Sequence, residues 1–322
     1  MQHAITIGTR ASPLALKQAE EVKARLLAVH DDLSPDDLII KPIKTTGDRI
    51  LDRHLMAAGG KGLFTKEIEA ALMAGDIDFA VHSGKDVPTS LPDGLALTTF
   101  LPREDPRDVL ISRAGCTFDA LPRGAVVGTA SLRRGAMARR LRPDLKVVTF
   151  RGSVQTRLDK LKKGEADATF LALSGLKRLD MAHVASEILP VDRFVPAPAQ
   201  GALALEVRAG EEALNARLAP LHDGETALQA SAERAFLAAL DGSCRTPIAA
   251  HAWRDGDRFT LVGALLSIDG NCAFEDRRSI DLGPDPIAEA RALGHEMGTA
   301  IRARAGEDFF RKLFDEVEAQ FA

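Results

Sequence analysis

In the first two thirds of this 322-residue sequence, short apolar runs alternate with segments of helical pattern, and several of these segments begin at a serine. Ala4 to Gly8 is predicted to be a strand, and Ser12 with Pro13 predicts the N-cap and first residue of the helix that follows. The same order returns at residues 125–131 and 146–153. A strand that is followed by a helix and a further strand typically forms a parallel pair, so this alternation predicts α/β structure with mostly parallel sheets.

The remaining pattern of this region fits the same class. Thr46 to Gly62 carries four glycines and little periodicity, which predicts a loop. Further strands are predicted at residues 38–44, 77–82 and 168–173, and a helix at 64–74.

Prolines divide the chain into three predicted domains. Boundaries fall where Pro102 and Pro106, and then Pro190, Pro196 and Pro198, interrupt the alternation. Beyond them, Asp-Gly steps at 255–256 and 269–270 predict hairpin turns of a three-stranded antiparallel sheet. These boundaries predict a first α/β lobe that ends near residue 101, a second at 102–198, and a small α+β domain toward the C-terminus.

The two lobes also share a short sequence repeat. Gly8 to Leu14 resembles Gly128 to Leu132, and each follows an apolar strand and opens a helix. Two similar α/β lobes flanking a cleft would explain this repeat.

Composition narrows the class of protein. The chain is 45% hydrophobic and 27% charged with a formal net charge of −4, which is typical of a globular protein and argues against a general polyanion binder. Its three cysteines are odd in number and widely spaced, so we expect neither a disulfide scaffold nor a metal site. No run approaches the roughly 18 apolar residues of a membrane span. Without a signal peptide pattern, a cytoplasmic location is expected.

Positive charge is concentrated in one segment. Residues 123–163 contain twelve Lys and Arg against two acids. Arginines and hydroxyl residues also recur where strands are predicted to end and helices to begin, the place where α/β sheets bind ligands and where helix N-termini favour anions. Arginine holds a carboxylate through two hydrogen bonds. This pattern predicts a site for a ligand with several carboxylates or phosphates, although a solvated helix face would also explain the charges.

Two further segments could carry chemistry. Lys85 and Asp86 follow the predicted strand that ends at His82, and a surface ion pair is the simplest interpretation of them. Cys244 lies in a tight polar loop after a helix, where it could be a nucleophile, an attachment point or an inert thiol. His82 is interpreted as a packing or hydrogen-bonding residue, and Cys116 and Cys272 as structural.

Seven stretches, taken together, closely resemble the porphobilinogen deaminase family in order and spacing over nearly the whole chain. They are Arg10 through Leu16, Lys61 through Glu67, His82 through Pro88, Glu104 through Asp108, Gly128 through Arg134, Arg151–Gly152 and Gly242 through Cys244. The resemblance implies two lobes like those of periplasmic binding proteins, the first at 1–101 and 199–220 and the second at 102–198. It also implies a third, C-terminal domain at 221–322. It also implies a dipyrromethane cofactor attached to Cys244 by a thioether.

The resemblance further implies the activity and the residues that perform it. Four porphobilinogen molecules lose ammonia and are joined in turn to the cofactor, and hydrolysis then releases hydroxymethylbilane for tetrapyrrole and heme synthesis. Asp86 is the expected catalytic residue. The expected cofactor-binding residues are Cys244, Lys85, Ser83, Thr129, Ser131, Arg133, Arg134 and Arg157. The expected substrate-binding residues are Arg10, Ser12, Arg151, Arg178, Lys61 and Phe64, with no metal.

Some positions depart from the family pattern. Lys17 stands where the family commonly has Trp, and Ser153 and Gln155 replace the commoner Asn and Gly. Pro198 and Ala199 alter the stretch before Gln200. These differences affect loop geometry, and none removes an expected catalytic residue.

Two other functions explain less of the sequence. A non-catalytic anion-binding protein explains the lobes and arginines but leaves Asp86, Cys244 and the third domain without a role. A nucleic-acid binder explains the basic segment, yet only 5% of the chain is aromatic and the net charge is negative. We therefore expect a monomeric enzyme whose partner is its small substrate, without nucleic acid or membrane.

Overall fold

A computed structural model describes residues 4–49, 62–240, 242 and 246–319 of the chain. Its strands are β1 (Ile5–Arg10), β2 (Leu38–Ile43), β3 (Phe79–Ser83), β4 (Leu95–Phe100), β5 (Asp108–Ser112), β6 (Val126–Gly128), β7 (Lys146–Val148), β8 (Ala168–Ala172), β9 (Glu187–Ile188), β10 (Leu203–Arg208), β11 (Ile248–Asp255), β12 (Arg258–Leu266) and β13 (Ala273–Asp281). Its helices are α1 (Pro13–Val29), α2 (Thr46–Arg49), α3 (Lys66–Met73), α4 (Leu132–Leu141), α5 (Val154–Lys162), α6 (Leu173–Arg178), α7 (Glu212–Leu218), α8 (Gly224–Ala239) and α9 (Pro286–Ala319).

The first compact unit, Met1–Glu104 with Ala202–Ala227, is built on a five-stranded sheet. Its strand order is β2-β1-β3-β10-β4. Helix α1 begins as predicted, since Ser12 Oγ accepts from Ala15 N at 3.3 Å and Pro13 is the first helical residue. The buried side chains of α1, among them Val22 and Leu26, pack into the core of this sheet.

The second compact unit, Asp105–Gly201 with Leu228–Ala322, contains a second five-stranded sheet in the order β7-β6-β8-β5-β9. The predicted repeat falls on equivalent strands, because β1 and β6 each lie between two parallel neighbours. An aspartate ends the equivalent loop in each sheet: Asp78 accepts from Thr6 N at 2.6 Å and Asp167 accepts from Val126 N at 2.8 Å. The two sheets are thus built alike down to this hydrogen bond.

The expectation of mostly parallel sheets was only half right. Strand β10 is antiparallel to both β3 and β4, and β5 is antiparallel to β8 and β9. Each sheet is therefore mixed. Strand β10 joins the first sheet from a distant part of the chain, and β5 is the first strand of the second sheet in the chain, so neither follows a helical crossover from its antiparallel neighbours.

The last strands form the predicted antiparallel sheet, in the order β11-β12-β13. The two Asp-Gly turns are confirmed, with Gly256 and Gly270 at φ of +60° and +78°. Helix α9 runs close to α8 at Gly294 and Gly298, where a side chain would collide with the α8 backbone. Gly306, at φ +75°, interrupts the helical conformation of α9. With its two lobes and this third sheet, the predicted α/β fold class is confirmed.

One element differs from the prediction. Thr46–Arg49 forms a short helix rather than a loop, and residues 50–61 of the predicted loop lie outside the described residues. The division into three domains stays a prediction; the elements of its third domain lie in the second unit, apart from residues 221–227.

None of the described helices combines the length and the apolar run that crossing a bilayer requires.

Candidate active site

Two charged residues meet at the strand ends of the first unit. Arg10 is the last residue of β1, and Asp86 lies in the single 3₁₀ turn Gly84–Asp86 that follows β3. Because β1 and β3 are adjacent parallel strands, their carboxyl ends open at the same edge of the sheet. Arg10 Nη1 lies 3.8 Å from Asp86 Oδ2, with the side chains 23% and 31% exposed. Both remain within reach of a ligand.

Phe64 completes this edge. The Arg10 guanidinium carbon lies 4.1 Å from the centre of the Phe64 ring, a cation–π contact. The ring also packs directly over Gly47 in α2, where any side chain would overlap it. Phe64 therefore connects Arg10 to the chain that leads into residues 50–61.

The hydroxyl groups predicted in this unit take part in local structure. Ser12 caps α1, and Ser83 Oγ accepts from Gln18 Nε2 at 2.9 Å. Lys85 is half-buried in the turn between Ser83 and Asp86. Beneath them, His82 Nε2 lies 2.9 Å from Glu206 Oε2 in the core. His82 is thus a hydrogen-bonded core residue, as predicted.

In the second unit, Arg133 and Arg134 are almost completely buried and share one carboxylate. Arg133 Nη2 donates to Asp108 Oδ2 at 2.7 Å, and Arg134 Nη2 donates to Asp108 Oδ1 at 2.7 Å. Burial alone would raise the pKa of Asp108, but the two arginines outweigh it and hold that pKa well below its ordinary value of 3.8. This burial argues against a solvated helix face as the explanation for these two arginines.

Thr129 and Ser131 lie at the mouth of a pocket of about 150 Å³ at the start of α4. Ser131 Oγ accepts from Arg134 N at 3.4 Å as the N-cap of the helix, so free backbone N–H groups and the positive end of the helix dipole lie here. Arg139 and Arg151 contribute to the lining. The pocket therefore combines hydroxyl donors with two guanidinium groups, a set suited to a carboxylate.

Arg157 lies in a strongly positive environment. Burial, together with the charges of Arg134 and Arg151, lowers the pKa of Arg157 to about 10. Its Nε donates to Gly152 O at 3.0 Å, which fixes the direction of the guanidinium. Burial likewise lowers the pKa of Arg151. Like charges gathered at partial burial destabilise the protein unless an anion binds, so this cluster fits a group with several carboxylates.

The structure says less about Arg178, Lys61 and the cysteines. Arg178, the last residue of α6, donates from Nη2 to Gly201 O at 3.2 Å. Lys61 and Cys244 lie outside the described residues. Cys116 and Cys272 are free thiols, and Cys116 Sγ lies 3.2 Å from Ser112 Oγ.

Three residues of this region have no role predicted from the sequence. Asp108 and Gln200 form the acceptor and amide groups around the two buried arginines, and Arg139 lines the pocket. The motif through Asp108 and the stretch before Gln200 were both visible in the sequence. Nothing in the sequence alone brings them together, because they are 92 residues apart.

Sequence comparison identifies known relatives over most of the chain. The family model described as "Porphobilinogen deaminase, dipyromethane cofactor binding domain" matches residues 5–216, and that described as "Porphobilinogen deaminase, C-terminal domain" matches residues 227–303. The chain is 54% identical to the porphobilinogen deaminase of Nitrobacter hamburgensis over 305 residues, which is 95% of each chain. It is 55% identical to that of Nitrobacter winogradskyi over 305 residues, again 95% of each.

A solved structure gives a weaker, backbone-level likeness. The periplasmic VFT2 domain of Bordetella pertussis BvgS aligns with a TM-score of 0.40 at 18% identity, covering 66% of this chain and 84% of that domain.

Proposed function

Because the chain belongs to the porphobilinogen deaminase family, we propose that two groups of its side chains carry out that family's reaction. The activity is that of a hydroxymethylbilane synthase, a transferase of tetrapyrrole synthesis that condenses four porphobilinogen molecules with loss of ammonia. The catalytic group is Asp86 with Arg10 and Phe64 in the first unit. The carboxylate-binding group consists of the arginines of the second unit.

The arginine cluster is the observation that carries this proposal. Arg134 and Arg151 both act on Arg157 as like charges, and one buried carboxylate, Asp108, is shared by Arg134 and Arg133. Each porphobilinogen adds an acetate and a propionate, so the bound chain becomes more anionic with each addition. A site with excess positive charge is what such a ligand requires.

The cofactor is dipyrromethane, bound covalently through a cysteine, and we assign that cysteine as Cys244. When bound, it supplies the pyrrole primer to which substrate is added. Thr129, Ser131, Arg134 and Arg157 would hold its carboxylates, since they present hydroxyl and guanidinium donors at the start of α4 and α5. Ser83, Lys85 and Arg133 are assigned to the same function.

Asp86 is assigned as the catalytic residue. Its partly exposed carboxylate can accept an N–H from a substrate pyrrole and stabilise positive charge as ammonia leaves. The same oxygen can hold the proton that the ring loses when the new carbon–carbon bond forms. Arg10, 3.8 Å away, places a positive charge beside this carboxylate and provides a donor for a substrate carboxylate.

The remaining assignments concern substrate binding. Ser12, Lys61, Phe64, Arg151 and Arg178 are proposed to contact the substrate or the growing chain. Phe64 covers the apolar face of Arg10 and leaves its N–H edges to hydrogen-bond.

We further propose that the enzyme acts in the cytoplasm as a monomer, with neither nucleic acid nor membrane as a partner. The seven large apolar side chains that are more than a third exposed among the described residues are spread over six elements, with Val29, Met73 and Ile188 each in a different one. Sedimentation velocity at micromolar concentration tests the oligomeric state, and a dimer would contradict this proposal.

Intact-protein mass tests the central assignment. Purified wild-type protein is expected to exceed its sequence mass by one dipyrromethane, and Cys244→Ser is expected to lack this excess. Cys272→Ser, an exposed thiol in the same part of the chain, is the matched control and should retain it. A Cys244→Ser chain that still carries the extra mass would refute the assignment.

A further inference from the structure

Asp108 is the central residue of the buried part of the arginine cluster. Its carboxylate is completely buried and divides between two guanidinium groups, with Oδ2 accepting from Arg133 and Oδ1 from Arg134. Arg134 contacts Oδ1 through both Nε, at 3.1 Å, and Nη2, at 2.7 Å. This two-point contact fixes the plane of the Arg134 guanidinium as well as its distance.

The carboxylate is itself held by rigid structure. Asp108 is the first residue of β5 and pairs with Ala172 in the neighbouring strand β8. Gln200 Nε2 donates to Asp108 Oδ1 at 2.9 Å and to Pro106 O at 2.7 Å. The backbone and the side chain of Asp108 are therefore both fixed, so Asp108 holds the guanidinium groups that it contacts in defined positions.

The main chain holds the other ends of the two arginines. Arg133 Nη1 donates to Val195 O at 2.7 Å, and Arg134 Nη1 donates to Phe170 O at 3.2 Å. Arg133 Nε is buried and has no hydrogen-bond acceptor among the residues that the structure describes. An unused, buried donor is costly, and the contacts of Arg133 with Asp108 and Val195 are what hold the guanidinium in this position.

Asp108 also determines the net charge of the arginine cluster. One buried carboxylate shared by two guanidinium groups leaves one net positive charge, beside Arg151 and Arg157. Burying both arginines without Asp108 would leave two uncompensated charges, which costs several kcal/mol. Asp108 thus makes the burial of the arginines possible and still leaves the cluster positive.

We propose that Asp108 is a positioning residue for cofactor assembly, which orients Arg133 and Arg134 so that their remaining N–H groups meet the carboxylates of the primer. This proposal rests on the assignment of the two arginines to cofactor binding. Two requirements at position 108 can thereby be separated. Any carboxylate side chain supplies the negative charge, but only a carboxylate in the position of Asp108 orients the two arginines.

Asp108→Glu is the variant that separates the two requirements. It keeps the negative charge but lengthens the side chain by one methylene, which displaces the carboxylate by about 1 Å. Full-length protein made without porphobilinogen is incubated with it, and the fraction carrying the dipyrromethane mass is followed over time. Loading is expected to be slower by about tenfold or more, because misplacement of this size is costly in a preorganised site.

Stability must be measured beside loading. Loading is compared at a temperature where circular dichroism shows every variant folded. Asp144→Asn is the matched control, since Asp144 makes a two-point contact with Arg142 in the same unit but away from the proposed site. It should load at the wild-type rate. If Asp108→Glu is not folded at any temperature tested, Gln200→Met takes its place, because it removes one hydrogen bond to Asp108 and keeps the charge.

A variant of Arg134 distinguishes the two proposals. Arg134→Gln should load slowly if this arginine binds the primer, and normal loading by Arg134→Gln would overturn the cofactor assignment and the role of Asp108 with it. Slow loading by Arg134→Gln with normal loading by folded Asp108→Glu would overturn the positioning role alone. Slow loading by both, with a normal Asp144→Asn, supports it.

Discussion

The guanidinium of Arg10 lies 3.8 Å from the carboxylate of Asp86, at the ends of two adjacent parallel strands. The separation is longer than a direct charge-assisted hydrogen bond, and about a third of the Asp86 side chain is exposed. The pair is therefore loosely coupled, and each member can turn toward a ligand without disrupting the core. Asp86 should for this reason be far more important for turnover than for stability.

Asp86→Asn tests this directly. The amide keeps the shape but cannot stabilise a developing cation, so kcat should fall by about a hundredfold or more. The thermal midpoint should stay within about 2 °C of wild type, because exposed ion pairs contribute little. Asp93→Asn, in the exposed loop after β3, should change neither quantity. Normal turnover in Asp86→Asn would show that the catalytic carboxylate is another residue.

Arg157→Met should improve stability and impair function. The folded protein disfavours the charged form of Arg157, whose pKa falls to about 10 through burial and the charges of Arg134 and Arg151. Removing that charge should raise the free energy of unfolding in urea by about 1 kcal/mol, after allowance for its partial exposure. Turnover should fall about tenfold or more, since a carboxylate donor is lost. Lys162→Met, exposed on the same helix, is the control; a destabilised Arg157→Met would contradict the like-charge argument.

Glu69→Gln should stabilise the protein at neutral pH. Burial, followed by the nearby charge of Glu206, raises the pKa of Glu69 above its ordinary value of 4.5. The folded state therefore binds this proton more tightly than the unfolded state, and its contribution to stability is lost as pH rises through that raised pKa. Urea unfolding should show Glu69→Gln more stable than wild type at about pH 8, with a smaller difference at about pH 5.

The control for Glu69→Gln is Glu20→Gln, whose side chain is 55% exposed on α1. It isolates the effect of burial from that of removing one negative charge. If both variants gain equal stability at high pH, burial is not the cause.

Gly294→Ala tests the close approach of α9 to α8. A side chain at Gly294 would collide with the carbonyl oxygen of Ala232. This oxygen belongs to the backbone of α8, so it cannot move away. We expect a loss of about 2 kcal/mol in the free energy of unfolding, as in other overpacked sites. Gly224→Ala, at the start of α8, meets no atom within 4 Å and should be neutral or slightly stabilising. Equal effects of the two variants would exclude a steric cause.

Local signals in the sequence predicted much of this fold. Ser12 and Ser131 both cap helices where expected, because a serine that follows a strand and precedes a helix has a strong local preference. The Asp-Gly turns of the last sheet follow for the same reason. What the sequence could not supply was the direction of β5 and β10, since strand pairing between distant segments leaves no local pattern.

The candidate site, like the fold, was predicted from the sequence only in part. Arg10, Phe64 and Asp86 were identified by motif, and they are adjacent in the first unit. The burial of Arg133 and Arg134 was not foreseen, because arginine is ordinarily an exposed residue and the acid that makes its burial possible, Asp108, lies 25 residues before Arg133. Pairing of that kind depends on tertiary structure.

The position of β10 determines when the first sheet can form during synthesis. This strand lies between β3 and β4, yet the ribosome makes it about a hundred residues after β4. Until residue 208 has emerged, β3 lacks one neighbour and β4 has no place in the sheet. A nascent chain whose emerged part ends near residue 190 should thus hold its second sheet folded while its first remains open to proteases and chaperones.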